Sequence, residues 1–148
     1  MNKETIGAIE QMLSEFPSMC ADGPARADEI DAASQRLDVR FPSDYREFLE
    51  RYGGGMVGPY PIFGLRPVSL MGHARWSLVE ITETIRAQLP NASRWVIFSE
   101  DHAGNPIGFD DSGRVYIFDH DFGGESEIAS DFENYIRVQC LHLKDEVE

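Results

Sequence analysis

The stretch WVIFSEDHAGNPIGFDDSGRVYIFD, residues 95–119, decides how the rest of the chain is read. Trp95-Val96-Ile97-Phe98 is apolar at successive positions, as a strand covered on both faces requires. Ile107 and Phe109 then alternate with Gly108 and Asp110. Asp111-Ser112-Gly113 supplies a turn with a residue free to take positive φ, and Val115-Tyr116-Ile117-Phe118 runs back. These segments predict a three-stranded antiparallel meander over about residues 95–119.

The flanks have a different period. Ile6, Ile9, Leu13 and Phe16 lie at helical spacing from Lys3 to Phe16, and Pro17 ends the run. Asp28 is placed to cap a second helix with Ile30, Ala33 and Leu37 inward. Pro42-Ser43 opens a third, with Tyr45, Phe48, Leu49 and Tyr52 on one face and Gly53-Gly54-Gly55 at its end. Pro59, Pro61 and Pro67 lack backbone donors, so strands between Val57 and Leu70 must be short or at an edge. Ser77-Leu78-Val79-Glu80 is a capping-box pattern before a helix carrying Leu78, Ile81, Ile85 and Leu89. Ser130-Asp131-Phe132-Glu133 repeats the pattern before a last helix with Phe132, Tyr135, Ile136 and Cys140 inward. The expectation is one α+β domain across residues 1–148, an antiparallel sheet flanked by helices. There is no internal repeat, low-complexity tract or linker.

Composition bounds the function. A hydrophobic fraction of 42% suffices for one packed core in 148 residues. The amino terminus has no basic segment leading into an apolar run, and no stretch is long and apolar enough for a membrane helix, so a cytoplasmic protein is expected. Cys20 and Cys140 are far apart, in no metal-ligand spacing, and read as reduced thiols. The net charge is −13, which repels nucleic acid and anionic membrane and steers basic partners inward. It is regional: residues 1–75 carry a net −3 and residues 76–148 a net −10. Between Trp95 and Tyr135 stand 10 acids and a single base, Arg114.

In a meander, alternate loops lie at the same end of the sheet. The segment after Phe98, with Glu100, Asp101 and His102, should therefore meet the segment after Phe118, with Asp119, His120, Asp121 and Glu125. Five carboxylates and two imidazoles are expected there, with Asp110 and Asp111 at the opposite end. Solvated loop acids are the plain explanation for any one of them. Together they suit a partner-binding surface, with Tyr116 and Phe122 as candidate aromatic anchors.

Two sharper chemistries compete. His102 and His120 beside carboxylates resemble a zinc or transition-metal donor set, but Asp119 and His120 are strand neighbours and point to opposite faces. Residues 119–130 depart from a calcium loop, with Gly123 at its fifth position and Ser130 at its twelfth. No metal or cofactor is therefore expected. For catalysis there is no nucleophile elbow, Walker loop or paired-histidine zinc motif, and Gly53-Gly54-Gly55 ends a helix rather than opening one. Cys140 falls on an apolar helix face, and His73 and His142 read as surface or capping residues. A non-enzyme is expected.

Over residues 25–138 the chain resembles the SUKH superfamily, in the branch related to fungal cell-wall-assembly regulators. The front of the resemblance is Leu37, Phe41-Pro42, Asp44-Tyr45-Arg46-Glu47-Phe48-Leu49 and Gly53-Gly54. Its middle is Ile62-Phe63-Gly64-Leu65. Its back is Ile97-Phe98, Gly104-Asn105, Asp110, Gly113, Val115-Tyr116, Phe118-Asp119-His120 and Ser130 with Phe132. Asp38 stands where such sequences often carry glycine, so that helix end is expected to be built differently. The resemblance implies an α+β fold and, for bacterial members, immunity proteins that neutralise polymorphic or contact-dependent toxins, many of them nucleases. It implies no shared catalytic residue. The expected partner is thus a basic toxin domain; the alternatives are a regulatory scaffold or small-ligand module and, third, a metal-dependent enzyme.

Overall fold

The computed structural model describes residues 1–68, 77–119, 121 and 124–143. Three helices come first: α1 (Lys3–Glu15), α2 (Ala27–Leu37) and α3 (Ser43–Tyr52). A short hairpin follows, β1 (Gly55–Val57) and β2 (Tyr60–Ile62), then α4 (Leu78–Gln88). The meander comprises β3 (Val96–Glu100), β4 (Pro106–Phe109), β5 (Val115–Asp119) and β6 (Gly124–Ala129). The last helix starts as α5 (Phe132–Asn134) and continues as a π-helical segment, Tyr135–Cys140.

The α+β expectation holds, with one correction to the sheet. It has four antiparallel strands in the order β3-β4-β5-β6, not three. The strand missing from the sequence reading, β6, has Glu125, Ser126 and Glu127 exposed, so no apolar alternation marks it. An outer strand needs apolar residues only where it touches the core, here at Ile128 and Ala129.

The sheet divides two packed regions. On one face Phe98, Ile107, Phe109 and Val115 join the main core with α1, α2, α3 and the last helix. Tyr45 is central there, its ring 5.1–5.9 Å from those of Phe41, Phe98, Phe109 and Phe132. Its hydroxyl donates to the Phe63 carbonyl at 2.6 Å, which satisfies the one polar atom this side chain buries. On the other face Trp95 and Ile97 pack with Ala92, Tyr116, Phe118 and the half-buried Ile81, Ile85 and Leu89 of α4.

Several local expectations change. Phe16 does not turn inward and is 53% exposed, while Thr5, in the first turn of α1, is buried in line with Ile9 and Leu13. Asp28 does not cap α2; Arg26 holds the cap position, and its backbone N–H donates to Glu29 Oε1 at 3.0 Å. Ser77 holds the cap position of α4 without a side-chain bond, and the N–H of its neighbour Leu78 donates to the Gly64 carbonyl at 2.9 Å. Asp131, not Ser130, caps α5, accepting from the Asn134 N–H at 2.7 Å. Asp38 does not alter the end of α2. It takes the left-handed conformation glycine would supply, φ 55, and donates its N–H to Ser34 and Gln35.

Two glycines are held by close approach. Gly53 ends α3 at φ 76, where a Cβ would lie 2.0 Å from the Gly23 carbonyl. Gly58, between β1 and β2, sits at φ 58 with a Cβ position 2.2 Å from the Cys140 carbonyl. That contact presses the hairpin against the end of the last helix.

Candidate functional site: an acidic sheet end

The meander brings the β3–β4 and β5–β6 connections to one end of the sheet, as its strand order requires. Glu100, Asp101, Asp119, Asp121 and Glu125 are all at that end. Glu125 lies inside β6, paired with Phe118, rather than in a loop. His120 and Phe122 lie outside the described residues, as does His73.

The register sets the spacing. Glu100 pairs with Pro106, and Phe118 with Glu125. One step beyond the Ile107–Ile117 pair, Pro106 is level with Phe118. Glu100 and Glu125 therefore stand in one row on one face, three strand spacings or about 14 Å apart. That exceeds the Debye length of roughly 8–10 Å at physiological salt, so the two repel each other weakly. The acids form a broad negative field rather than a tight cluster. Among the described residues no three His, Cys, Asp or Glu side chains gather as a cation site would need.

The five acids do different work. Asp101 turns inward and staples its own loop. Its Oδ1 accepts from the Ala103 and Asn105 N–H groups at 2.9 Å, and its Oδ2 from Asn105 Nδ2 at 3.0 Å. Desolvation pushes its pKa up, but these bonds outweigh it and hold the carboxyl below its ordinary value. Asp119 Oδ1 accepts the Asp121 N–H at 2.9 Å, shaping the next turn. Asp121 and Glu125 are exposed.

His102 leans on the β1–β2 hairpin. Its ring stacks on Tyr60 at 5.1 Å and its Nε2 lies 3.3 Å from the Pro59 carbonyl. Beneath it, Ser99 Oγ is buried and donates to the Pro61 carbonyl at 2.6 Å. With that proton committed, Tyr135 must donate its hydroxyl to Ser99 Oγ across 3.0 Å. This node ties β2, β3 and the last helix together just before Glu100. Burial raises the pKa of both Tyr135 and Cys140, the latter to about 12, so the thiol here is neutral and inert. Cys20 is also free.

Tyr116 is half-buried, stacked on Trp95 at 5.6 Å and opposite Glu127. Sequence reasoning missed Glu127 as a site residue. Its signal was present: Glu125 and Glu127 are two apart, hence on one face of any strand.

The opposite end of the sheet is mixed in charge, with arginines paired to acids. Arg94 bridges Asp38 at 3.2 Å and Asp111 at 2.6 Å. Arg86 donates to the Leu37 carbonyl at 2.8 Å, capping α2, and to the Trp95 carbonyl at 3.0 Å. Arg46 pairs with Asp31 at 2.8 Å. Arg40, Arg46, Ser34, Ser43, Ser112 and Asp111 border a concavity of about 510 Å³. Asp110 folds back on Ser112 within the β4–β5 turn. No helix among the described residues is long and apolar enough to cross a membrane.

A family model described as the SMI1 / KNR4 family (SUKH-1) matches residues 24–138. That range spans α2 through most of the last helix and includes every described element of the acidic end. A search of curated proteins returned no match.

Proposed function

The chain belongs to the SMI1 / KNR4 family (SUKH-1), and from that premise we propose that it is a non-catalytic immunity protein that neutralises a basic toxin domain. The observation that carries this reading is the placement of charge. Acids from the ends of β3 and β5, from β6 and from their connections converge on a single end of the sheet, where no arginine is described, while at the other end Arg46 and Arg94 are paired with Asp31, Asp38 and Asp111. Such a molecule orients a basic partner before contact, so charge would govern the association rate. Affinity would then rest on a few buried contacts, with Tyr116 as a described aromatic candidate.

The test is co-expression with the product of the adjacent reading frame, followed by stopped-flow association of the purified pair at low and high salt. Rescue of growth and an association rate that falls with salt are expected. A wild-type protein that fails to rescue overturns the immunity reading; rescue with a salt-independent rate overturns its electrostatic basis.

One observation favours a second reading, a small-ligand module. The concavity of about 510 Å³ is of a size to hold a small ligand, and Arg40 and Arg46 on its lining offer cations to one, beside the carboxylate of Asp111. Calorimetric titration with inorganic phosphate, wild type against Arg40→Ala, tests it: heat lost in the variant supports an anion site, and no heat in either removes the reading.

A further inference from the structure

β6 is an outer strand with one partner. It is hydrogen-bonded to β5 on one side, and among the described residues no backbone hydrogen bond reaches it from another element. The other outer strand, β3, is covered. Phe63 donates its N–H to the Phe98 carbonyl at 2.7 Å, and Ser99 reaches Pro61 from the same strand. Among the described residues the sheet thus has one open edge, and it lies beside the acidic end. An open edge displays unpaired N–H and C=O groups that can template another strand.

The pairing of β6 with β5 says what an added strand would meet. Tyr116 is opposite Glu127, Ile117 opposite Ser126, Phe118 opposite Glu125 and Asp119 opposite Gly124. Residues directly opposite share a face. Glu125 and Glu127 therefore lie on the face of Phe118 and Tyr116, with Ser126 on the face of Ile117. The register slips between Val115 and Tyr116, which leaves Ile128 without an opposite residue. The regular part of the edge is thus Gly124 to Glu127. Bulges of this kind end pairing at sheet edges.

We propose that this edge accepts an extended segment of the partner protein as a fifth strand, and that the segment carries Lys or Arg at alternate positions to meet Glu125 and Glu127. The proposal rests on the binding reading above and names its mode. Charge decides the occupant. A second copy of β6 would set glutamates beside glutamates, and like charges on adjacent strands oppose pairing. A strand with basic residues two apart would instead place each cation beside a carboxylate while its backbone completes the edge. Glu127 already accepts from Arg114 at 3.2 Å, but both side chains are exposed, so this pair exchanges readily for another. Asp121, exposed in the preceding turn, extends the negative field along the same edge.

Two short synthetic peptides test this on the full chain labelled with ¹⁵N. One alternates lysine and valine; the other has the same composition with its lysines contiguous. The alternating peptide should shift the amides of Gly124–Glu127, bind more tightly than the contiguous one, and lose about tenfold or more in affinity to a Glu125→Lys/Glu127→Lys variant. Glu15→Lys/Glu50→Lys, which makes the same change of net charge on α1 and α3, should lose far less. Equal binding of the two peptides, shifts centred on another element, or equal loss in the two variants overturns the proposal. Co-expression with the toxin separates this from the function itself. Full rescue by Glu125→Lys/Glu127→Lys sinks the edge as the docking site and leaves immunity standing, whereas failure of the wild type to rescue sinks immunity without bearing on the peptide result.

Discussion

Replacing Ser99 by alanine removes the hydroxyl that joins three elements beneath the acidic end. The wild-type node has a fixed direction: Tyr135 donates to Ser99, and Ser99 donates to the Pro61 carbonyl at 2.6 Å. Ser99→Ala leaves that carbonyl without its donor and the buried Tyr135 hydroxyl without its acceptor. A buried polar group stripped of its partner costs about 1–3 kcal/mol. The Pro61 carbonyl is only part-buried, and the Tyr135 hydroxyl also faces Cys140, so the sum should sit near the low end. A loss of about 2 kcal/mol is expected, which lowers Tm by roughly 4–8 °C for a domain of this size. Tyr135→Phe alone should cost about 1 kcal/mol, since Ser99 keeps its bond to Pro61. When Ser99→Ala is already present, the same change removes an orphaned hydroxyl and should cost close to nothing. Urea denaturation of the four proteins measures the coupling, expected at about 1 kcal/mol. If the two single costs add to within about 0.5 kcal/mol in the double variant, the node does not work as described. Hydrogen exchange supplies a second readout: Ser99→Ala should speed exchange in the Glu100–Asn105 loop that the node anchors.

Three further outcomes follow from the structure. In a carboxylate NMR titration, Glu29 should protonate near pH 2, because Arg66 Nη2 and Nη1 reach it at 2.5 and 2.7 Å; a midpoint in the usual glutamate range would remove that pair. The same titration should place Asp101 below and Asp44 above the ordinary aspartate value. Asp44 is raised chiefly by desolvation, against the bonds it accepts from the Glu133 and Tyr45 N–H groups, with Asp131 and Glu133 adding repulsion. The two have opposite linkage: the stabilisation from Asp101 is complete above its unfolded pKa and lost as pH falls through its lower folded value, whereas the penalty from ionised Asp44 fades as pH falls through its raised one. The reverse order of midpoints refutes both assignments. Gly58→Ala should destabilise by about 2–4 kcal/mol in chemical denaturation, combining left-handed strain with a clash against the Cys140 carbonyl; a neutral result would mean the hairpin does not press on the last helix.

How legible the molecule was depended on burial. Where a segment touches the core, its apolar period reports its conformation: Ile9 and Leu13, Ile30 and Leu37, Tyr45 and Phe48 all face inward as their spacing requires. Helix ends were less legible because neighbouring residues share the capping chemistry, and Asp131 rather than Ser130 caps α5. Ser77 has the right chemistry to cap α4 and stands at the cap position, yet its side chain makes no cap bond. Phe16 follows the spacing of α1 and still faces solvent, since α1 ends at Glu15 and the chain turns away.

The acidity in residues 76–148 is a property of the covalent chain, and so are the short connections that favour pairing of successive strands and thereby send two acidic connections to one end. The sequence by itself therefore determined that an acidic end exists and which connections build it. Only the tertiary structure decided that β6 is a strand, because an outer strand solvated along most of its length carries no apolar alternation to announce it. The register, too, exists only once strands pair, and it sets Glu125 and Glu127 on the face of Phe118 and Tyr116 and separates Glu100 from Glu125 by the width of the sheet. The grouping of arginines at the other end has the same origin. Arg40, Arg46, Arg86 and Arg94 come from segments remote in sequence, and packing of α2, α3 and α4 around the sheet is what brings them together.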